Sequence, residues 1–218
     1  MNPLRTSLLL LLTLGLAGCT TVGVHLPGGA EAREFGPEID LRVCVLLDPE
    51  LPESRPRTLM KAIQSEFEPY GIRVRLESVE PWERPGFFRD AIIQDLLRRP
   101  LPRNCDRLLG MVGRNVGDTL WSLALPEVLG AVESTRAVRG YVVAEVGSIP
   151  QLLWSPPSAT AVHEFYHFLG CRHALTKAAC YVQIRELKAA YARGADFFPG
   201  VAADGSPIVS RDGGPVYR

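Results

Sequence analysis

Net charge is the first thing this 218-residue sequence lacks: 24 Lys and Arg stand against 24 Asp and Glu. Without a basic excess or an acidic tail, the chain carries no electrostatic footprint for nucleic acid. Long apolar runs are missing too. The most hydrophobic stretch, Leu8 to Ala17, is ten residues long, about half of what a helix needs to cross a bilayer. No internal repeat is present, which excludes solenoids and propellers. Methionine is scarce, with three residues and none after Met111. Histidine is scarce as well, with four residues, yet three of them fall inside one eleven-residue stretch, HEFYHFLGCRH, from His163 to His173. What remains is ordinary for a globular protein: 46% hydrophobic and 22% charged residues, with 18 Pro and 20 Gly to make turns. The length suits one domain with a short addition and is enough to bury a core.

The short apolar run follows Arg5 and matches the h-region of a secretory signal peptide. Directly after it, Leu16-Ala17-Gly18-Cys19 resembles the lipobox of bacterial lipoproteins, which implies an acylated Cys19 as the mature N-terminus and a lipid anchor in the membrane. The other reading is an ordinary export signal followed by an unrelated Cys. Residues 1–18 are therefore expected to be a signal peptide of an exported, cell-envelope protein. In a cell with two membranes, the uncharged Thr20 implies sorting to the outer one, again by resemblance. Residues 19–37 have no periodicity and are rich in Gly, Pro and Thr; they are expected to be a tether, with His25 solvated.

Four cysteines remain: Cys44, Cys105, Cys171 and Cys180. An even number in an exported chain points to two disulfides, with three possible pairings. Position favours Cys44–Cys105, each near the start of an expected strand, and Cys171–Cys180, on either side of a turn. Metal ligation by Cys171 or Cys180 is the rival; no second CxxC or CxxH stands beside them.

The remaining pattern is β-α-β-α-β-β-β-α. Strands are expected at 41–48, 72–79, 106–113, 127–135 and 139–147. Helices are expected at 54–71, stopped by Gly71, and at 86–100, stopped by Pro100. A third begins after Pro156-Pro157, with Ser158 or Thr160 as cap, and a last one spans 180–194 with Val182, Ile184, Leu187, Ala190 and Tyr191 on its apolar positions. This order implies an α/β fold: a mixed, mostly parallel five-stranded sheet covered by helices. The domain is expected over 38–194, with a small C-terminal piece and an irregular tail over 195–218.

A helix turns 100° per residue, so His163 and His167 project from one face, one turn apart. Two imidazoles so placed can bind one Zn²⁺. Gly170 can take a left-handed conformation, end the helix and turn the chain back, so that His173 arrives as third ligand. Three ligands leave a fourth position for water, the mark of a catalytic rather than a structural zinc site. Glu164 lies beside the ligand face, able to take a proton from that water and pass it to a leaving amine. A chance match to the five fixed positions anywhere in such a chain is on the order of 10⁻⁵.

The stretch HEFYHFLGCRH resembles the signature of the metzincin zinc metallopeptidases. The order of elements before it is similar to that family's N-terminal subdomain, and among its members the archaemetzincins are the most similar in layout. The resemblance implies one zinc on His163, His167 and His173, Glu164 as general base, and a peptide or protein substrate paired with the strand at 127–135. Two departures stand out. Metzincins carry a methionine turn beneath the zinc, and here Val182 falls near that place. The cysteine-rich second zinc site of archaemetzincins is absent. Tyr181, Tyr191 and Arg172 are candidates for oxyanion stabilisation. The implied activity is a membrane-anchored zinc endopeptidase; the alternative is a zinc- or partner-binding lipoprotein on the same scaffold without turnover.

Overall fold

Strand β1 (Ile39–Leu47) is rich in Val, Leu and Ile and almost wholly buried, as a strand with neighbours on both sides must be. The computed structural model describes residues 22–86, 88–115, 117–118, 128–133 and 136–193. Next to β1 lie β2 (Ile72–Pro81) and β3 (Arg107–Val112), both parallel to it. Then come β5 (Arg139–Val143), parallel to β3, and β4 (Gly130–Val132), antiparallel to β5. The order β2-β1-β3-β5-β4 puts β4 at an edge. This is the mixed, mostly parallel five-stranded sheet that the alternation of elements implies.

The period of two in the strands sorts side chains onto two faces. Leu41, Val43, Val45, Leu109, Met111 and Val142 face one layer of helices. Those helices are α1 (Arg55–Phe67), α4 (Pro157–Phe168) and α5 (Ala178–Ala192), which contribute Leu59, Ile63, Ala161, Phe165, Phe168, Ile184 and Leu187. Cys44, Leu46, Leu108, Val112 and Tyr141 face the other way, onto Trp82 and onto Ile92 and Leu96 of α2 (Arg89–Arg98). Each buried Leu or Phe of this kind contributes about 1.5–3 kcal/mol. Disulfides join Cys44 to Cys105 and Cys171 to Cys180, the two pairings favoured by position.

Helix α1 passes through one 3₁₀ turn, Glu68–Tyr70, and stops at Gly71, which takes φ 65°. Elsewhere boundaries move. The strand expected over 127–135 pairs only at 130–132 within its described part, 128–133. Glu133 ends it by folding inward, where its carboxylate accepts the N–H groups of Arg136 and Val138 at 2.9 and 3.0 Å. Neither Ser158 nor Thr160 caps α4: the helix starts at Pro157, whose ring presets φ and has no N–H to satisfy. A further helix, α3 (Ile149–Trp154), precedes it, capped by Ser148, which accepts from the Gln151 N–H.

The expected tether is corrected from Val22 onward. Val22, Ala30 and Phe35 are buried in the main core, and Val24 forms a parallel bridge to Thr176. His25 is not merely solvated: its ring bonds the Tyr181 hydroxyl and Lys177 Nζ, both at 2.7 Å. The apolar residues of this segment follow no period because it packs as irregular chain, so periodicity could not expose it. The signal peptide, Cys19 and the tail 195–218 lie outside the described residues. Among the described residues no helix is long and apolar enough to cross a membrane.

Candidate metal centre

The C-terminal turn of α4 builds the site. Gly170 adopts φ 80°, the Cys171 N–H returns to the Tyr166 carbonyl at 3.0 Å, and the Gly170 N–H returns to the His167 carbonyl at 2.9 Å. This pair of bonds is a Schellman closure, which needs a left-handed residue where the glycine sits. The chain then doubles back and delivers His173 to the face carrying His163 and His167. The Nε2 atom of His167 lies 3.1 Å from that of His163 and 3.2 Å from that of His173.

The tautomer of His167 follows from its other nitrogen. Its Nδ1 is 2.7 Å from the Cys171 carbonyl oxygen, which can only accept, so Nδ1 carries the proton and Nε2 presents a lone pair. Burial lowers the pKa of the ring and keeps it neutral. Three imidazole nitrogens this close fit a cation between them. Tetrahedral Zn–N bonds of about 2.1 Å space their nitrogens about 3.4 Å apart. Among the described residues these three histidines form the one group of potential ligands so arranged.

Glu164 is buried beside the triad, and its Oε2 has no hydrogen-bond partner among the described residues. Burial, opposed by the charge of Arg89, pushes its carboxyl up to about 8. Gly130 of β4 makes room for it. A Cβ there would stand 2.7 Å from Glu164 Cγ and 2.8 Å from Oε1, so the carboxylate lies flat on the edge strand. The cleft over triad and carboxylate encloses about 580 Å³ and runs along Val128, Gly130, Ala131 and Val132.

The other expected residues separate. Arg172 lines the cleft between Cys171 and His173. Tyr181 does not: it is buried behind α4 with His25, Phe35 and Tyr70. Tyr191 is half-exposed on α5, away from the cleft lining. Val182 is also half-exposed and forms no floor beneath the histidines, because α5 turns Cys180, Tyr181, Ile184 and Leu187 inward instead. Cys171 and Cys180 are joined in a disulfide, so neither offers a free thiolate to a metal.

Three supporting residues escape the sequence pattern. Gly130 is one; an isolated glycine within an apolar strand is the signal that marks such a close approach. Arg107, fully buried, donates through Nε and Nη2 to the Phe168 carbonyl at 3.0 and 2.8 Å, which caps the C-terminus of α4. Lys177 anchors the loop after His173, with Nζ 2.8 Å from the Tyr166 hydroxyl and 3.1 Å from Glu66.

Comparison with known proteins adds little to this. No family model matches the chain, and no curated protein matches it. A solved structure is similar. It is the archaemetzincin of Methanopyrus kandleri, aligned over 73% of this chain and 88% of that one at 14% identity and a TM-score of 0.40. At that distance the chemistry of the centre rests on its own geometry.

Proposed function

We propose that this chain is an exported zinc-dependent endopeptidase held to a membrane by a lipid on Cys19. The observation that carries the catalytic half is the buried, unpartnered Glu164 carboxylate beside three converging imidazole nitrogens, in a cleft that runs along the edge strand β4. The anchoring half is supported by the apolar run and Leu16-Ala17-Gly18-Cys19. Val22, buried in the core, lies three positions after Cys19.

His163, His167 and His173 would hold a zinc ion through Nε2. Zinc there would supply Lewis acidity. The substrate peptide lies extended along β4 and pairs with its outer backbone edge, a strand addition that fixes the scissile bond over the cleft. Glu164, whose ionised form the charge of a bound zinc ion would favour, would accept a proton at Oε2 from water and return it to the amine that leaves. Its bed on Gly130 holds the carboxylate close against the edge strand. Arg172, exposed at the cleft wall, is the residue placed to meet a developing negative charge.

The test is zinc analysis together with cleavage of a broad peptide library by the soluble chain, with and without chelator. One zinc per chain and chelator-sensitive cleavage are expected, with zinc retained and cleavage abolished in Glu164→Gln. Zinc binding without any cleavage would move the chain to the second reading, a metal-holding partner-binding module; cleavage by Glu164→Gln at the parent rate would refute the mechanism.

A further inference from the structure

The cleft is lopsided in charge although the chain as a whole is neutral. Its described lining includes three arginines, Arg89, Arg136 and Arg172, and two acids, Glu133 and Glu164. Both acids are buried. Glu133 is buried with its two oxygens on the backbone of Arg136 and Val138. Glu164 is buried, with its Cγ and Oε1 packed against Gly130. The arginines come from three separate parts of the chain: the start of α2, the β4–β5 connection, and the turn before His173. Arg89 and Arg172 are exposed. Arg89 also stands at a costly place. The first turn of a helix favours acids and opposes cations, so this arginine is explained by the cleft it lines and not by the helix it opens.

We infer, resting on the peptidase reading above, that the cleft selects peptides bearing a carboxylate next to the bond placed over the histidines. The carboxylate is that of an Asp or Glu side chain or a free C-terminus. A peptide extended on β4 presents alternate side chains to one face. On the cleft side they meet guanidinium groups, which grip carboxylates through paired N–H···O bonds. A lysine in the same place meets like charge and is rejected. The two-plus charge of a bound zinc adds to the same bias.

The experiment measures binding separately from turnover. Four labelled octapeptides on one Ala/Val frame are titrated against zinc-loaded Glu164→Gln protein by fluorescence anisotropy. Three are amidated and carry two Glu, two Gln or two Lys; the fourth is the Gln peptide with a free C-terminal carboxylate. The Glu peptide is expected to bind at least about tenfold tighter than the Gln and Lys peptides. The gap should narrow between about 50 and 300 mM salt. A gain by the free-acid peptide instead assigns the site to the terminal carboxylate. Adding Arg89→Glu and Arg172→Glu, both at exposed positions, should reverse the order in favour of Lys. The Arg89→Gln, Arg172→Gln pair should flatten it, with zinc content unchanged in either. Equal affinity for all four peptides overturns the inference even if the parent cleaves its library. A parent that cleaves nothing, with Glu preference intact in the Gln variant, overturns the peptidase reading and leaves the carboxylate site standing.

Discussion

His167 Nδ1 donates to the carbonyl oxygen of Cys171 across 2.7 Å. That single bond ties one histidine of the triad to the residue that begins a disulfide loop, and the loop from Cys171 to Cys180 contains another, His173. The orientation of one imidazole and the position of another therefore depend on the same covalent bridge.

The two disulfides should accordingly separate stability from metal affinity. Closing the sequence separation of 61 between Cys44 and Cys105 stabilises by about 4 kcal/mol, and closing the separation of 9 between Cys171 and Cys180 by about 3 kcal/mol, on loop entropy. Replacing Cys44 and Cys105 by Ser should lower the denaturation midpoint more and leave zinc affinity near the parent value. Replacing Cys171 and Cys180 should weaken zinc binding about 10- to 100-fold, the usual effect of losing support behind a ligand. Competition with a chromophoric chelator measures both; equal zinc affinity in the two variants would contradict the coupling.

Gly130 should matter to catalysis and not to metal. An alanine Cβ would lie 2.7 Å from Glu164 Cγ, a distance that forces the carboxylate aside. Displacing a base by about 1 Å costs on the order of 100-fold in rate. Gly130→Ala is expected to keep its zinc and its fold, by metal analysis and circular dichroism, while peptide cleavage drops by that factor.

How much of this was visible beforehand depended on range along the chain. His163, His167, Gly170 and His173 are near neighbours, so helical period and one left-handed turn were enough to bring them together. Both cysteine pairs followed from strand starts and a turn. The order of the sheet followed from strands alternating with helices. The failures are long-range or out of phase. His25 meets Tyr181 across 156 positions, through a segment whose buried Val22, Ala30 and Phe35 follow no period. In α5 the apolar letters allowed two phases, and packing against Phe35 and Tyr70 chose the one that turns Tyr181 in and Val182 out. Arg107 opens a strand otherwise apolar, and only the position of Phe168 shows why a guanidinium is buried there.

The turn at Gly170 makes a third prediction. Its φ of 80° costs an L-residue roughly 1–2 kcal/mol. Gly170→Ala should lose about that much stability in urea titrations and should bind zinc more weakly, since His173 arrives through this turn. Gly170→Asn, which tolerates the conformation better, should recover part of both. An alanine variant with parental stability and affinity would show that the turn can be made another way.

Acid sensitivity should trace in part to Glu66, the carboxylate of the cluster behind α4. Burial alone would raise its pKa, but hydrogen bonds from Tyr166 and Lys177 and the charge of Lys177 hold it below the usual carboxylate value. The folded state therefore binds fewer protons at this site than the unfolded chain does, and folding gains stability as pH rises through that window. The gain is complete above the unfolded value of about 4.3 and is lost as pH falls through the lower, folded one. Glu66→Gln leaves the buried Lys177 without its counter-charge, so it should be about 2 kcal/mol less stable than the parent at pH 7. As pH falls through the folded value the parent's carboxylate becomes protonated and the difference should shrink. Paired urea denaturations at pH 7, 5, 4 and 3 measure the gap directly, and a gap that stays constant across them would place the acid sensitivity in other carboxylates.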